Sequence, residues 1–384
     1  MALGLTDLMA VQAHANTPWP VFANLRDETP TLKIPMSQLG GAGGSMVVIS
    51  RFADVRTALS SPDFHHPTAS ENDIRAHTHY RRALEEVFTP RAVRSLAGRI
   101  RDVTGKLVAS TTTAGHADIH DQLTEPFSWQ VLLALTGLPD GDIDMLMEKR
   151  QTLRHTPAVR DSDDPVVDLF QLWKDEAYEY FDALLERRQQ HPANDLASRL
   201  LRVSFGGRAL TRDEMIAQLC VFVRGSHSVT AALDCIITRL ASCPDVQRLA
   251  RNDVPQRPRL LEEMLRLDSP VMMVMRRAAH DMVLRGVDVA ESDLVMLMLG
   301  AANTDDRQFA EPLAIDPSRG KGHLAFSAGQ HRCLGTHLGR LQLSIALDEI
   351  LTRMGTFKIP TGEIVDFTFG VRCAERLPLE WTRA

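Results

Sequence analysis

Residues 326–335 of the chain read Phe-Ser-Ala-Gly-Gln-His-Arg-Cys-Leu-Gly, and this stretch decides what fold the rest of the sequence supports. It ends an irregular, proline-punctuated region and opens a helical pattern, because Leu334, Leu338 and Leu341 recur at spacings of four and three. Cys333 therefore lies at the start of a helix, where free amides and the helix dipole favour a thiolate. Glycines four residues before it and two residues after it let the backbone approach a bulky group.

A soft, anionic sulphur near the apolar ring of Phe326 is a donor set that suits haem iron. Residue chemistry alone leaves two other interpretations open. A free cysteine is most often a small, buried core residue. Cys333 with His331 and His337 also offers three zinc ligands, although a structural zinc site normally has four and no fourth is evident nearby.

The spacing Phe-x-x-Gly-x-x-x-Cys-x-Gly, from Phe326 to Gly335, resembles the haem-binding signature of the cytochrome P450 family at every defining position. The resemblance implies that Cys333 is the axial ligand of the iron of haem b, with Phe326 and Gly335 beside the cofactor. It also implies a mainly α fold of α+β character, a helical prism with a small β-rich side and haem between a long distal helix and the proximal cysteine loop. Since no internal repeat or linker is evident, we expect residues 1–384 to form a single cytochrome P450 domain.

A second motif extends the resemblance towards the middle of the chain. Glu263 and Arg266 match the family's Glu-x-x-Arg helix motif, which ties the proximal haem-binding region to the core. By itself such a pair is usually solvated and worth roughly 0.2–0.5 kcal/mol. In the family an arginine commonly completes a triad with this pair, but Ala314 occupies that position here. Arg319 is the candidate to replace it.

Basic residues match four family positions that bind the haem propionates. His77 and Arg81 fall in a helical pattern, Arg276 falls in a region of β-type runs, and His331 lies two residues before the cysteine. Four basic groups for two carboxylates are chemically sensible, because a buried anion needs charge-assisted partners.

The best-defined element is a long helix that begins near Leu210. Thr211 and Glu214 have the spacing of a capping box, and no proline follows until Pro244, so the sequence predicts a helix of about 32 residues. Its centre, residues 224–228, is polar within an otherwise apolar run. The resemblance places this helix across the distal face of the haem, where the family usually has a small residue, Gly, any residue, an acid and Thr.

The aligned residues here are implied to be catalytic, but they depart from that pattern. Gly225 is kept and Ser228 keeps the alcohol, whereas His227 replaces the acid and Arg224 replaces the small residue. Three interpretations of His227 stay open. It relays protons, with an unperturbed pKa of about 6.5; or the substrate supplies the proton or peroxide replaces oxygen and electrons; or it points away and satisfies a core hydrogen bond. Because an unpaired guanidinium beside haem is costly, we expect Arg224 to bind a substrate carboxylate.

Composition excludes several classes of function. The chain is 44% apolar and carries 43 basic against 49 acidic residues, which gives no overall field to hold nucleic acid or an anionic membrane. Five scattered cysteines without a Cys-x-x-Cys pair are typical of a reducing compartment. The longest apolar run, residues 294–302, is far shorter than the roughly 20 residues of a membrane helix. We therefore expect a cytoplasmic protein without nucleic-acid or membrane partners.

The family resemblance implies a monooxygenase of bacterial secondary metabolism that oxidises an organic small molecule. Its substrate is expected to be acidic, large or carrier-tethered, in part because the lid between Phe64 and His77 is shorter than usual for the family. With no flavin or iron–sulphur segment, electrons are expected from a ferredoxin and its reductase, which would dock where Arg332 and Arg340 flank the cysteine. Two alternatives are a peroxide-driven or oxidative-coupling enzyme without oxygen insertion, and a catalytically degenerate relative that recruits a partner oxygenase.

Overall fold

Helices dominate the structure, and strands form a smaller part of it. The structure is a computed structural model and describes residues 14–39, 41, 43–66, 81–82, 84–142, 144–145, 148, 174–205, 207–319 and 322–383. Its α-helices are α1 (Trp19–Glu28), α2 (Phe52–Ser60), α3 (Pro90–Arg94), α4 (Ala97–Thr111), α5 (Glu125–Thr136), α6 (Lys174–Gln190), α7 (Leu196–Leu200), α8 (Arg212–Ser242), α9 (Pro244–Asn252), α10 (Arg257–Leu267), α11 (Leu299–Asn303) and α12 (Thr336–Arg353). Its strands are β1 (Thr31–Pro35), β2 (Ser45–Ile49), β3 (Phe64–His65), β4 (His116–Asp118), β5 (Ser204–Phe205), β6 (Arg208–Ala209), β7 (Val274–Ala278), β8 (Met282–Leu284), β9 (Val287–Val289), β10 (Leu294–Leu297), β11 (Met354–Lys358) and β12 (Pro378–Arg383).

The largest sheet has the strand order β1-β2-β10-β7-β3, in which β2 and β10 run parallel. Its central strands are buried on both faces. Successive side chains of a strand point to opposite sides, so Met46 and Val48 of β2 enter one apolar cluster while Val47 and Ile49 enter another. A third and larger cluster lies among the helices. In the sequence, β-type runs at residues 46–49, 282–284 and 294–297 predict strands, and the structure confirms all three.

The predicted long helix is confirmed as α8, with 31 residues. Its capping box is complete, because the Thr211 hydroxyl accepts from the Glu214 N–H at 3.2 Å and the Glu214 carboxylate accepts from the Thr211 N–H at 2.7 Å. By length and composition α8 is the one helix of the described residues that could cross a membrane. However, 59% of its most apolar window is buried inside the protein, as in the core helix of a globular fold.

One prediction for the N-terminal region is wrong. In the sequence, Pro18, Pro20 and Pro30 predict an irregular chain over residues 1–30, but α1 forms over Trp19–Glu28. Pro18 is its N-cap and Pro20 lies in its first turn, where the missing N–H removes no intrahelical bond and the fixed φ suits a helix. The sequence pattern also predicts a helix at residues 142–155, and most of that segment, like residues 1–13, lies outside the described residues.

Candidate active site

A cavity of about 530 Å³ opens between α8, α5, residues 270–274 and the cysteine loop, by which we mean residues 326–335. Its wall is mostly apolar. Among the described residues no aspartate or glutamate lines it. Cys333, Phe326, Gly335 and His331, all singled out from the sequence, lie on this wall.

The cysteine loop is held by a hydrogen bond within its own backbone and by a close contact with the end of α2. The Cys333 N–H donates to the Phe326 carbonyl at 2.9 Å, which closes the loop. Gly329 has a φ of +67°, and a Cβ at this position would lie 2.1 Å from the carbonyl oxygen of Leu59. Only glycine therefore lets the loop pack this closely on the end of α2.

The electrostatics of Cys333 differ from the expectation of a lowered pKa. Its thiol is exposed to the cavity, yet protein atoms surround it, and this burial raises the pKa of the thiol above its ordinary value. The Gly335 N–H, the Thr336 hydroxyl and the charges of Arg81 and Arg340 favour the thiolate but do not outweigh desolvation. The predicted lowering is thus wrong for the protein alone. A metal cation bound to the sulphur would supply the missing stabilisation, because the charge of a metal deprotonates a coordinating thiol.

α8 presents one face to the cavity through residues spaced three and four apart. The described members of this face are Gln218, Val221, Phe222, Gly225, Ser228, Val229 and Ala232. At 100° per residue, His227 lies about 200° around the helix from Gly225, and it does not line the cavity. Ser226 lies at the edge of this face, and its hydroxyl donates to the Val223 carbonyl at 2.6 Å. The side chain of Arg224 lies outside the described residues.

The predicted propionate-binding residues are partly brought together. Arg81 and His331 both line the cavity, and Arg81 donates to the carbonyl of Arg332. The Arg81 Nε also lies 3.3 Å from a carboxylate oxygen of Glu85. His77 falls outside the described residues.

Arg276 is a buried cation without a carboxylate partner among the described residues. It lies on the same face of β7 as the cavity-lining Val274 and is 4% exposed. Its guanidinium donates to the Met275 carbonyl at 2.7 Å, and burial alone lowers its pKa to about 10. A buried cation in this state is best stabilised by an anion, and the described residues supply none to it.

Glu263 and Arg266 form a buried, bidentate ion pair. The Arg266 Nε and Nη2 lie 2.9 and 3.0 Å from the two carboxylate oxygens of Glu263. The Arg319 Nε contacts the same carboxylate at 3.2 Å. Arg319 therefore completes the triad that Ala314 leaves open, and the Ala314 carbonyl accepts from Arg266 instead. The pair is a core contact, so the surface interpretation of its sequence spacing does not apply.

Comparison with known proteins identifies the family. A family model described as Cytochrome P450 matches residues 164–370. The vitamin D(3) 25-hydroxylase of Pseudonocardia autotrophica is 30% identical over 356 residues, which cover 87% of this chain and 85% of that protein.

The chain belongs to the cytochrome P450 family. The cyclomarin C epoxidase CymV of Salinispora arenicola is 30% identical over 293 residues, covering 76% of this chain and 74% of that protein. The fold matches the solved structure of the cytochrome P450 PksS of Bacillus subtilis 168 with a TM-score of 0.86 at 22% identity, over 97% of this chain and 98% of that one. The predicted family and fold class are confirmed, and the protein is a cytochrome P450 oxidoreductase.

The family implies a haem cofactor, and the residues of this cytochrome P450 fit one. Cys333 offers a sulphur ligand at the wall of a largely apolar cavity, and Arg276 offers a buried charge that suits a propionate. The zinc interpretation of Cys333 gains no support. Among the described residues, the sets of side chains close enough to share a metal ion are His120, Asp234 and Cys373, and His120, Asp121 and Glu125.

The polar residues of the cavity wall that were not found from the sequence include Ser128 and Gln218. Ser128 of α5 lines the cavity, and its hydroxyl accepts from Thr230 at 2.8 Å. Gln218 lies on the cavity face of α8, seven residues before Gly225 and thus about 10 Å along the axis. Gln218 could have been found from the sequence, because an interval of seven residues puts it on the same helix face as Gly225.

Proposed function

We propose that this cytochrome P450 inserts oxygen into a mainly apolar organic molecule of bacterial secondary metabolism. One observation carries the proposal: the Cys333 thiol and the cavity face of α8 line the same largely apolar cavity. A substrate on that face lies in the cavity that would hold the haem. We further propose a cytoplasmic location, with a ferredoxin and its reductase as electron donors.

In this proposal the chain holds haem b and orients the substrate. Cys333 ligates the iron, and Arg81, Arg276 and His331 bind the propionates, with His77 as a further candidate. Bound haem supplies the redox chemistry by which dioxygen is activated and an oxygen atom reaches the substrate. The wall is largely apolar, so the transfer of an apolar substrate from water into the cavity is favoured.

Polar residues of α8 are proposed to set the orientation of the substrate. Gln218 offers an amide about 10 Å along the helix from Gly225, so a polar group of the substrate at that distance from the reacting carbon is favoured. Arg224 remains our candidate for binding a substrate carboxylate, and an acidic or carrier-tethered substrate would use it. Replacement of Arg224 by Leu is expected to weaken the binding of a carboxylate ligand and to leave a neutral ligand unaffected.

Ser228 is proposed to hold and move the proton at the cavity wall, because Ser228 lies on the cavity face of α8 and His227 does not. We expect Ser228→Ala to lower kcat about a hundredfold, the low end of what a proton-transfer group contributes. His227→Gln is expected to change it little. Turnover with matched haem content measures both, and Ser226→Ala is the control for a lost hydroxyl in the same turn. A larger loss for His227→Gln than for Ser228→Ala would favour the relay by His227.

A peroxide-driven reaction is a second candidate, and one observation favours it. No carboxylate of the described residues lines the cavity, and His227 lies off the cavity face, so the acid of the family's distal motif has no evident substitute there. Turnover with hydrogen peroxide alone, compared with NAD(P)H and redox partners, separates the two candidates.

The absorption spectrum of the reduced protein with carbon monoxide tests whether Cys333 ligates haem as a thiolate. We expect the Soret band of a thiolate-ligated haem in the wild type and its loss in Cys333→Ala. A colourless protein that takes up no haem would overturn the proposal.

A further inference from the structure

Phe326, at the start of the cysteine loop, is held between two residues that share one carboxylate. The guanidinium carbon of Arg340 lies 4.3 Å from the centre of the Phe326 ring, and the His323 ring lies 6.1 Å from it. Glu262 accepts from the Nε and Nη2 of Arg340, both at 2.6 Å, and its Oε2 lies 3.1 Å from the His323 Nε2. The four side chains form one cluster, which we call the Glu262 cluster.

The Glu262 cluster is shielded from solvent. Side-chain exposure is 6% for Glu262, 3% for His323 and 21% for Arg340. Because water screens these charges poorly, they act over a longer range than a surface pair does. Glu262 precedes the Glu263 of the buried triad on α10, and Arg340 lies seven residues after Cys333 on α12. Both helices thus place a charged side chain beside the loop that carries Cys333.

The bidentate contact fixes the direction of the Arg340 side chain. Its Nε and Nη2 are both used by Glu262, so its planar face is left for the Phe326 ring. Phe326 in turn is bonded to Cys333 through its carbonyl, at 2.9 Å. The position of a positive charge beside the sulphur ligand therefore depends on Glu262.

We propose that Glu262 is a positioning residue that sets the reduction potential of the haem, by holding Arg340 at Phe326 and compensating its charge. The inference rests on the proposed binding of haem by Cys333. Reduction of the ferric iron adds one electron, so an uncompensated positive charge nearby favours the reduced form and an uncompensated negative charge opposes it. Glu262 and Arg340 consequently shift the reduction potential in opposite directions.

Three variants of the haem-loaded protein test this through their midpoint potentials. Glu262→Gln keeps the shape of the side chain and removes its charge, and we expect a midpoint potential more positive than that of the wild type. Arg340→Gln is expected to shift it to more negative values. Arg340→Lys retains the charge and is expected to stay close to the wild type.

A matched control lies farther along α12. Glu349 pairs with Arg353 at 2.7 Å on that helix, so Glu349→Gln makes the same change of charge away from the loop. It is expected to leave the potential unchanged. Shifts of the same sign for Glu262→Gln and Arg340→Gln, or no shift in either, overturn the inference. A wild type without the thiolate spectrum overturns the proposed function instead, so the two failures are distinguishable.

Discussion

Gly329 lies where the cysteine loop meets the end of α2. Its φ of +67° is unfavourable for other residues, and the carbonyl of Leu59 occupies the space that a side chain would need. The contact positions the loop before any cofactor is considered. A single residue without a side chain thus decides how closely the ligand loop approaches the rest of the fold.

We expect Gly329→Ala to lower the free energy of unfolding by about 2–4 kcal/mol, from backbone strain and overlap with Leu59. Haem content should fall with it. Urea unfolding and the ratio of haem to protein measure the two effects. Gly98→Ala in α4 is the control, because no atom lies near its added Cβ, and it should stabilise the protein by about 0.5–1 kcal/mol. Equal effects of the two substitutions would contradict the account.

At the level of elements, α8 is anchored on the side away from the cavity. Asp234 follows Gly225 by nine residues and so lies about 180° from it around the helix. Its carboxylate accepts from the His120 Nδ1 at 2.9 Å and from the Thr124 hydroxyl at 2.5 Å. The Nε2 of His120 lies 3.2 Å from Glu125, which makes a buried cation between two carboxylates. This contact holds α8 against the π-helical turn, His120–Thr124, that leads into α5.

The charge of His120 predicts how stability depends on pH. Burial by itself lowers the pKa of His120, but the bonds to Asp234 and Glu125 outweigh it and raise the pKa to about 10. Since the unfolded value is near 6.5, the folded protein binds more protons between pH 6.5 and about 10. The stabilising effect of protonated His120 is complete below pH 6.5. It declines above that pH and is lost as the pH rises through about 10.

We expect the free energy of unfolding to fall between pH 7 and 10, by at most about 1.4 kcal/mol per pH unit from this group. His120→Gln should be less stable at pH 7 and should lose much of this slope. Urea unfolding at several pH values measures both. An unchanged slope in His120→Gln would rule out this group as the cause.

At the level of the whole molecule, Arg372 joins distant parts of the chain beside the cavity. Its backbone N–H donates to the Pro270 carbonyl at 2.7 Å, and Pro270 lines the cavity. Its guanidinium contacts the Asp268 carboxylate at 2.7 Å and donates to the Asn16 carbonyl at 2.9 Å. The segment before α1 and the chain before β12 therefore brace one wall of the cavity.

We expect Arg372→Met to lower the free energy of unfolding by about 3 kcal/mol, because Asp268 loses one of its two buried cations. Ligand binding at the cavity should weaken as well, because the guanidinium no longer holds Asp268, two residues before the cavity-lining Pro270. Lys358→Met breaks the exposed pair with Glu380 and should cost less than about 1 kcal/mol. Both are read by urea unfolding, and a similar cost for the two substitutions would contradict a bracing role for Arg372.

The sequence alone was sufficient for the features that depend on residues close together in the chain. The spacing from Phe326 to Gly335 predicted the family, and Thr211 with Glu214 predicted the start of α8, because both patterns act within a few residues. The Glu263–Arg266 pair was likewise visible as two residues one turn apart. Local geometry fixes the capping box and puts Glu263 and Arg266 on one helix face, whereas the family follows from the match to a known signature.

The tertiary structure decided which of these residues meet. The phase of α8 follows from its helical period, but only packing determines that Gly225 and Ser228 face the cavity while His227 does not. Arg319 reaches Glu263, and Arg340 pairs with Glu262, across 56 and 78 residues of sequence. Burial raised the pKa of Cys333 against the effect of its helix, because desolvation depends on all atoms packed around a group and not on its neighbours in the chain.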